Sequence, residues 1–187
     1  MIKSKQELKE YLTIEKQKQQ VSNNIYIYIF KYIRRIENYL LYSYQKRLRK
    51  TEYYFNTNKK IRYLFSSQKL RKLEYKYQIH IPLNCCDKGL WITHIGPILI
   101  NGKTKCGTNL RININTGLTN NGVSQEAPIL GDNVTIGIGS IILGGVTIGD
   151  NTAIGANSTV TKDFKEGNYT IAGSPAKIIS YKTSKDW

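Results

Sequence analysis

The chain has 187 residues with 28 Lys and Arg against 13 Asp and Glu, a formal net charge of +15, and its length suits one domain with a sizeable extension. Residues 1–80 carry 19 basic and 6 acidic side chains, net +13, whereas residues 81–187 carry 9 and 7, net +2. A membrane span is excluded near the front, where the longest apolar run, Ile25–Phe30, has six residues, far fewer than a bilayer needs.

The polar opening residues predict no signal peptide. Cys85, Cys86 and Cys106 form neither an even disulfide framework nor a ligand pattern, so reduced thiols in a cytoplasmic protein are the simplest reading. His80 and His94 are the two histidines, too few for a three-histidine site within one chain, and no metal is expected. The basic front could meet nucleic acid, an anionic membrane surface or a phosphorylated ligand. A solvated helical face is favoured, because no nucleic-acid motif accompanies the charge.

In chain order, Ser4 and Glu7 have capping-box spacing and lead into a helix over 4–20, with Leu8, Tyr11 and Leu12 at helical intervals. Ser22-Asn23-Asn24 breaks the pattern. A second helix is predicted over 25–54, with Ile25, Ile29, Tyr32, Ile33, Ile36, Leu40 and Leu41 on one face. A third follows the Asn56-Thr57-Asn58 turn over 61–77, with Leu64, Phe65, Leu70 and Leu73 inward. Residues 1–78 therefore read as a helical region, and Pro82 marks the change to short strands.

From Leu130 every sixth residue is aliphatic: Ile136, Ile142, Ile148, Ile154 and Val160. Two residues before each stand Val134, Ser140, Val146, Thr152 and Ser158, and glycine follows at Gly131, Gly137, Gly149 and Gly155. A period of six fits neither a helix nor a hairpin and belongs to parallel β-helices. One repeat buries about 3–5 kcal/mol of apolar surface against about 6–12 kcal/mol of backbone ordering, so stability requires stacked coils. Glycines are expected at corners where other residues would be strained. Counting back, Leu118, Ile112, Cys106 and Ile100 hold the frame while Ser124 fails it, which marks 119–126 as a loop extruded from one coil.

An unpaired ring does not suit a dry axis, so a two-residue offset is expected, with Ile92 inward and His94 outward. Thr161–Gly167 leaves the repeat as a loop, and 172–179 adds one last strand. The organisation is 1–78 helical, 79–179 β-helix and 180–187 a polar mobile tail in which Trp187 is a candidate docking residue.

The repeat, the terminal Ala172-Gly173-Ser174-Pro175-Ala176-Lys177, and Trp91-Ile92-Thr93-His94 followed by Gly96 and Ile98-Leu99-Ile100 resemble the hexapeptide-repeat acyltransferases. Within them the likeness is to serine acetyltransferases and their relatives in polysaccharide gene clusters. The resemblance covers about the last 110 residues strongly and the helical front loosely. It implies a mainly β, left-handed parallel β-helix after an α-helical region, a homotrimer, and acetyl transfer from acetyl-CoA to the hydroxyl of a small molecule without a covalent enzyme intermediate.

The resemblance makes His94 the candidate general base, a task that suits an imidazole with an ordinary pKa of about 6.5. His80 is read as structural. Departures from the family matter: Ile79 stands where those enzymes have an orienting aspartate, Thr93 where they have an aspartate beside the histidine, and Glu126-Ala127 where the extruded loop has Arg-His. Asp87 and Glu126 are then the candidate orienting acids, Glu126 slightly ahead, and a solvated surface charge is the alternative for each. Coenzyme A is expected along the outside of the prism, at Gly137, Gly139 and Ala156, with Lys162 and Lys177 toward its phosphates. The acceptor is L-serine or a sugar hydroxyl. A non-catalytic oligomeric scaffold with a basic partner-binding front is the alternative.

Overall fold

The computed structural model describes residues 1–186; Trp187 lies outside them. Four helices come first: α1 (Lys5–Lys18), α2 (Ile25–Ile33), α3 (Glu37–Asn56) and α4 (Lys60–Tyr77). The capping box at the start of α1 is formed in full, Ser4 Oγ accepting from Glu7 N–H and the Glu7 carboxylate accepting from Ser4 N–H. The second expected helix is two. Arg35 takes the left-handed conformation (φ 56°), and the break lets Tyr28 of α2 fold back on Tyr39 and Tyr42 of α3. The aliphatic period runs through the break, which hides it from the sequence.

The inward faces also differ. Leu41 is buried, but Ile25, Ile29, Ile33 and Ile36 are exposed. In α4 Leu70 is buried while Leu64 and Phe65 face solvent. An apolar stripe requires a partner surface, and neither period says whether the rest of the chain provides it.

Among the described residues fourteen short strands follow: β1 (Ile79–His80), β2 (Trp91–Ile92), β3 (Ile98–Ile100), β4 (Lys105–Cys106), β5 (Arg111–Ile112), β6 (Thr116–Thr119) and β7 (Ile129–Leu130). The second half comprises β8 (Thr135–Ile136), β9 (Ile141–Leu143), β10 (Thr147–Ile148), β11 (Ala153–Ile154), β12 (Thr159–Val160), β13 (Thr170–Ala172) and β14 (Lys177–Ser180). They stack as three sheets: A, in the order β1-β3-β6-β9-β12; B, β4-β7-β10; and C, β2-β5-β8-β11-β13-β14. Every pairing is parallel except β13 with β14. The chain visits C, A and B in turn, so each coil is a three-sided turn of a prism.

The axial frame holds along the prism. Ile100, Cys106, Ile112, Leu118, Leu130, Ile136, Ile142, Ile148, Ile154 and Val160 are all buried in one core. Residues 120–128 leave between β6 and β7. Beyond Val160 the coil continues further than expected: Phe164 is buried and bridges to Ile148 in parallel. The last strand is a pair, β13 and β14. The tail is docked, Ser184 N–H donating to Asn151 O and Thr170 Oγ1 to Lys182 O.

Asparagine, more than glycine, turns the corners. Asn109, Asn133, Asn151 and Asn168 all have positive φ (54–60°) and form a ladder up one edge, each amide Nδ2–H donating to the next Oδ1 at 3.0, 3.0 and 2.8 Å. Asparagine tolerates this conformation because its short amide bonds locally. The repeat glycines serve stacking instead. A Cβ on Gly137 would lie 2.6 Å from Ala156 N, and one on Gly149 would lie 2.2 Å from Lys165 O.

The helices close the open end of the prism. In lower coils, carbonyls accept from N–H groups of the coil above, as Leu110 O does from Trp91 N and Ile112 O from Thr93 N. The first coil has none above it. There Gln45 Nε2–H donates to Leu90 O (2.6 Å), Gln19 Nε2–H to Ile92 O (2.7 Å), and Arg49 to Cys86 O and Asp87 O (2.8 Å each). Buried Arg49 also pairs with Glu15 (2.7 Å) and Glu52 (3.0 Å). Polar side chains thus complete a backbone ladder that would otherwise end in unpaired groups.

Candidate active site

β2 ends at Ile92, which is wholly buried, and the chain turns from sheet C to sheet A through Thr93–Pro97. This turn holds His94 on the outside of the C–A corner, its side chain 61% exposed. Thr93 fixes the turn from the coil below, its Oγ1–H donating to Asn113 Oδ1 at 2.6 Å. Gly96 passes so close to the next coil that a Cβ would sit 2.9 Å from Ile114 Cγ2.

The carboxylate at His94 is Glu37, the first residue of α3. Its Oε2 lies 3.2 Å from His94 Nδ1, and its Oε1 accepts from Ile95 N–H at 2.8 Å. One carboxylate therefore grips the ring and the backbone beside it. With Nδ1–H donating to Glu37, Nε2 carries the lone pair, and Nε2 has no protein partner among the described residues.

Of the expected orienting acids, neither meets the ring. Asp87 is on the B–C corner, where the Tyr11 hydroxyl and Lys88 N–H donate to its Oδ1. Glu126 is in the loop on the A–B corner, beside Gly145. The three residues occupy three different edges of the prism. Glu37 was missed because nothing in the residues around His94 points 57 positions back; the one sequence signal is that it is the sole acid between Glu15 and Glu52.

The C–A corner continues below His94. Strand register aligns Ile92 with Ile112, Ile136 and Ile154, so His94, Ile114, Ile138 and Ala156 stack along one edge. Gly137 and Gly139 flank Ile138, and Ser174 reaches Thr159 at the far end, Oγ to Oγ1 2.9 Å. Lys177 pairs with Ala172 at that same end. Lys162 does not join the row: it follows β12 onto the A–B corner, with Nζ 5.5 Å from the Phe164 ring centroid. His80 is exposed on β1, 3.9 Å from Glu74.

The edge from His94 to Lys177 covers four coil steps of about 4.8 Å each, about 19 Å in all. Its middle carries no charged side chain, and exposed Ala156 leaves backbone accessible. A long, uncharged carrier arm with anionic groups at one end fits such a strip. Thiol chemistry has no comparable place: burial pushes the Cys85 thiol up to about 12, and Cys86 is raised by its hydrogen bond with Cys106 and by burial. Among the described residues no group of three or more His, Cys, Asp or Glu is placed to hold a metal ion.

Residues 127–162 match the family model of the bacterial transferase hexapeptide (six repeats). Over 99 residues the chain is 42% identical to serine acetyltransferase 1, chloroplastic, of Arabidopsis thaliana, covering 51% of this chain and 31% of that protein. A Brucella abortus serine acetyltransferase solved with coenzyme A superposes with a TM-score of 0.69 at 21% identity, covering 95% of this chain and 70% of the other. Soybean serine acetyltransferase complexed with serine gives 0.72 at 20% identity, covering 93% and 70%. The chain carries hexapeptide repeats and has the fold of the solved serine acetyltransferases. Its prism is the left-handed parallel β-helix of that fold, preceded by helices. The chain spans less than a third of the Arabidopsis relative's length.

Proposed function

We propose that the protein is an acetyl-CoA-dependent O-acetyltransferase with His94 as general base. The observation that carries this reading is the Glu37–His94 pair at the head of the uncharged C–A edge. Glu37 holds the imidazole in the tautomer whose Nε2 is free to take a proton from an acceptor hydroxyl, and it stabilises the imidazolium that results. Acetyl-CoA supplies an activated acetyl thioester. Nε2 removes the hydroxyl proton as the oxygen attacks the thioester carbonyl, and the imidazolium returns that proton to the departing thiolate. Atoms balance without a covalent enzyme intermediate, and the raised cysteine thiols fit a direct route.

Gly137, Gly139 and Ala156 are assigned to the pantetheine arm and Lys177 to the phosphates. Lys162 reaches this ligand only from the A–B corner, which in a homotrimer is the edge a neighbouring copy can bring alongside. Glu126 enters the site on the same condition. Asp87 is assigned to holding the helices on the first coil. A small hydroxyl compound is the acceptor, L-serine by likeness to the relatives; a sugar hydroxyl is favoured by Thr93 and Glu126-Ala127 standing where serine-holding groups are expected. Free thiols suit a reducing compartment such as the cytoplasm. The test is thiol release from acetyl-CoA with L-serine beside a panel of sugars and nucleotide sugars, run with wild type and His94→Ala. Release that needs an acceptor and is lost in the variant supports the reading; equal release from both refutes His94 as base, and no release with any acceptor favours the scaffold.

A further inference from the structure

α2 lies on the surface of the helical region. It meets α3 through Tyr28, whose ring centroid lies 5.8 Å from that of Tyr39 and 6.3 Å from that of Tyr42, and through Lys31, whose Nζ lies 5.4 Å from the Tyr39 ring centroid. None of its nine residues is buried. Ile25, Ile29 and Ile33 recur every four residues on the flank beside Tyr28, with Tyr26 and Phe30 at the same interval on the face turned from it. Their exposures run from 48% to 80%. Ile36 extends the stripe. So much contiguous apolar surface on a soluble face marks a contact.

The charge around the stripe says what kind of contact. Arg34 and Arg35 are exposed at the end of the helix, and no acid occurs between Glu15 and Glu37. The Arg34 guanidinium lies 5.4 Å from the Phe30 ring centroid, directly at the border of the stripe. A second copy packed face to face would bring two sets of these cations together, on chains that each carry +15. The complementary occupant is apolar within and anionic at its surface.

We propose that α2 is an interfacial anchor that lays Ile25, Tyr26, Ile29, Phe30 and Ile33 into the headgroup boundary of an anionic membrane, with Arg34 and Arg35 on the lipid phosphates. The helix is about 14 Å long at 1.5 Å per residue, less than half a hydrocarbon core of about 30 Å, so it lies in the surface and does not cross. Isoleucine and phenylalanine provide the apolar insertion, and tyrosine and arginine suit the interface itself. α2 leads within three residues into Glu37, so docking brings the His94 corner close to the bilayer. The inference stands on the exposed stripe and its charge and holds whatever reaction that corner performs.

The test is co-sedimentation of the full chain with vesicles of phosphatidylcholine alone and with about 30% phosphatidylglycerol added. Wild type is expected on the anionic vesicles, at least about tenfold more weakly on the neutral ones, and less as salt rises. Ile29→Asp with Phe30→Asp, and separately Arg34→Glu with Arg35→Glu, each reduce binding about tenfold or more, with circular dichroism unchanged. Binding that both double variants retain overturns the proposal. So does absence of wild-type binding; if Ile29→Asp with Phe30→Asp then lowers the sedimenting mass, the stripe is a contact between copies.

Discussion

Glu37 Oε2 stands 3.2 Å from His94 Nδ1 although 57 residues separate them, and the same carboxylate holds Ile95 N–H. The acid comes from the helical region and the imidazole from the first coil. The seating of α3 on the prism therefore sets the orientation of the candidate base.

His94→Ala should lower kcat of acceptor-dependent thiol release by about 10²–10⁴. Glu37→Gln should lower it less, by about 10–10², with KM for acetyl-CoA unchanged, because the pair is half exposed and a solvated imidazole keeps part of its function. A Glu37→Gln enzyme with wild-type kcat would remove Glu37 from the site.

Partial burial pushes the Asp87 carboxyl up, but the bonds from the Tyr11 hydroxyl and Lys88 N–H outweigh it and hold the group below the usual carboxylate range. A folded-state pKa below the unfolded value of about 3.9 gives stability that is present above about pH 4 and lost as pH falls through the folded value. Tyr11→Phe should cost about 1 kcal/mol at pH 7, discounted because Asp87 is exposed, and the gap to wild type should close on acidification. Urea unfolding at pH 7 and near pH 3 tests this; a gap that widens in acid contradicts it.

Asn133 combines a positive φ of 55° with side-chain bonds to Asn109 and Asn151. Asn133→Ala should destabilise by about 2–3 kcal/mol, losing ladder bonds and adding strain. Asn133→Gly should cost about half as much, since glycine relieves the strain alone. Equal losses in thermal unfolding would show that the dihedral is unimportant.

Arg49→Met should destabilise by about 3–5 kcal/mol, because it leaves Glu15 and Glu52 buried without their cation. Gln45→Leu should cost about 1–3 kcal/mol by unpairing Leu90 O. Chemical denaturation gives both values. If Gln45→Leu is neutral, water replaces the amide and the helical closure of the first coil is weaker than its geometry indicates.

The order of inward residues was written in the chain. A six-residue period names the side chains that must face the axis, because only one position in each short side can be buried, and Ile100 through Val160 obey it. His94 reached the outside only through an offset from that period, and Gly137, Gly139 and Ala156 were pointed to by the resemblance; the strand register of the structure sets them along one edge. The capping box at Ser4 was legible for a similar reason, being a bond between near neighbours.

What needed the tertiary structure was every contact between distant segments. The period cannot tell one corner from another, so Asp87 and Glu126 read as neighbours of His94, and Lys162 as a partner of the coenzyme A phosphates, although the prism keeps all three off the C–A edge. The stripe through Ile25, Ile29, Ile33 and Ile36 looked like a core face because periodicity records amphipathic spacing and not the presence of a partner surface. Glu37 gained its place at His94 from the turn at Arg35 and the docking of α3 on the first coil, two long-range packing outcomes that leave no local mark in the sequence.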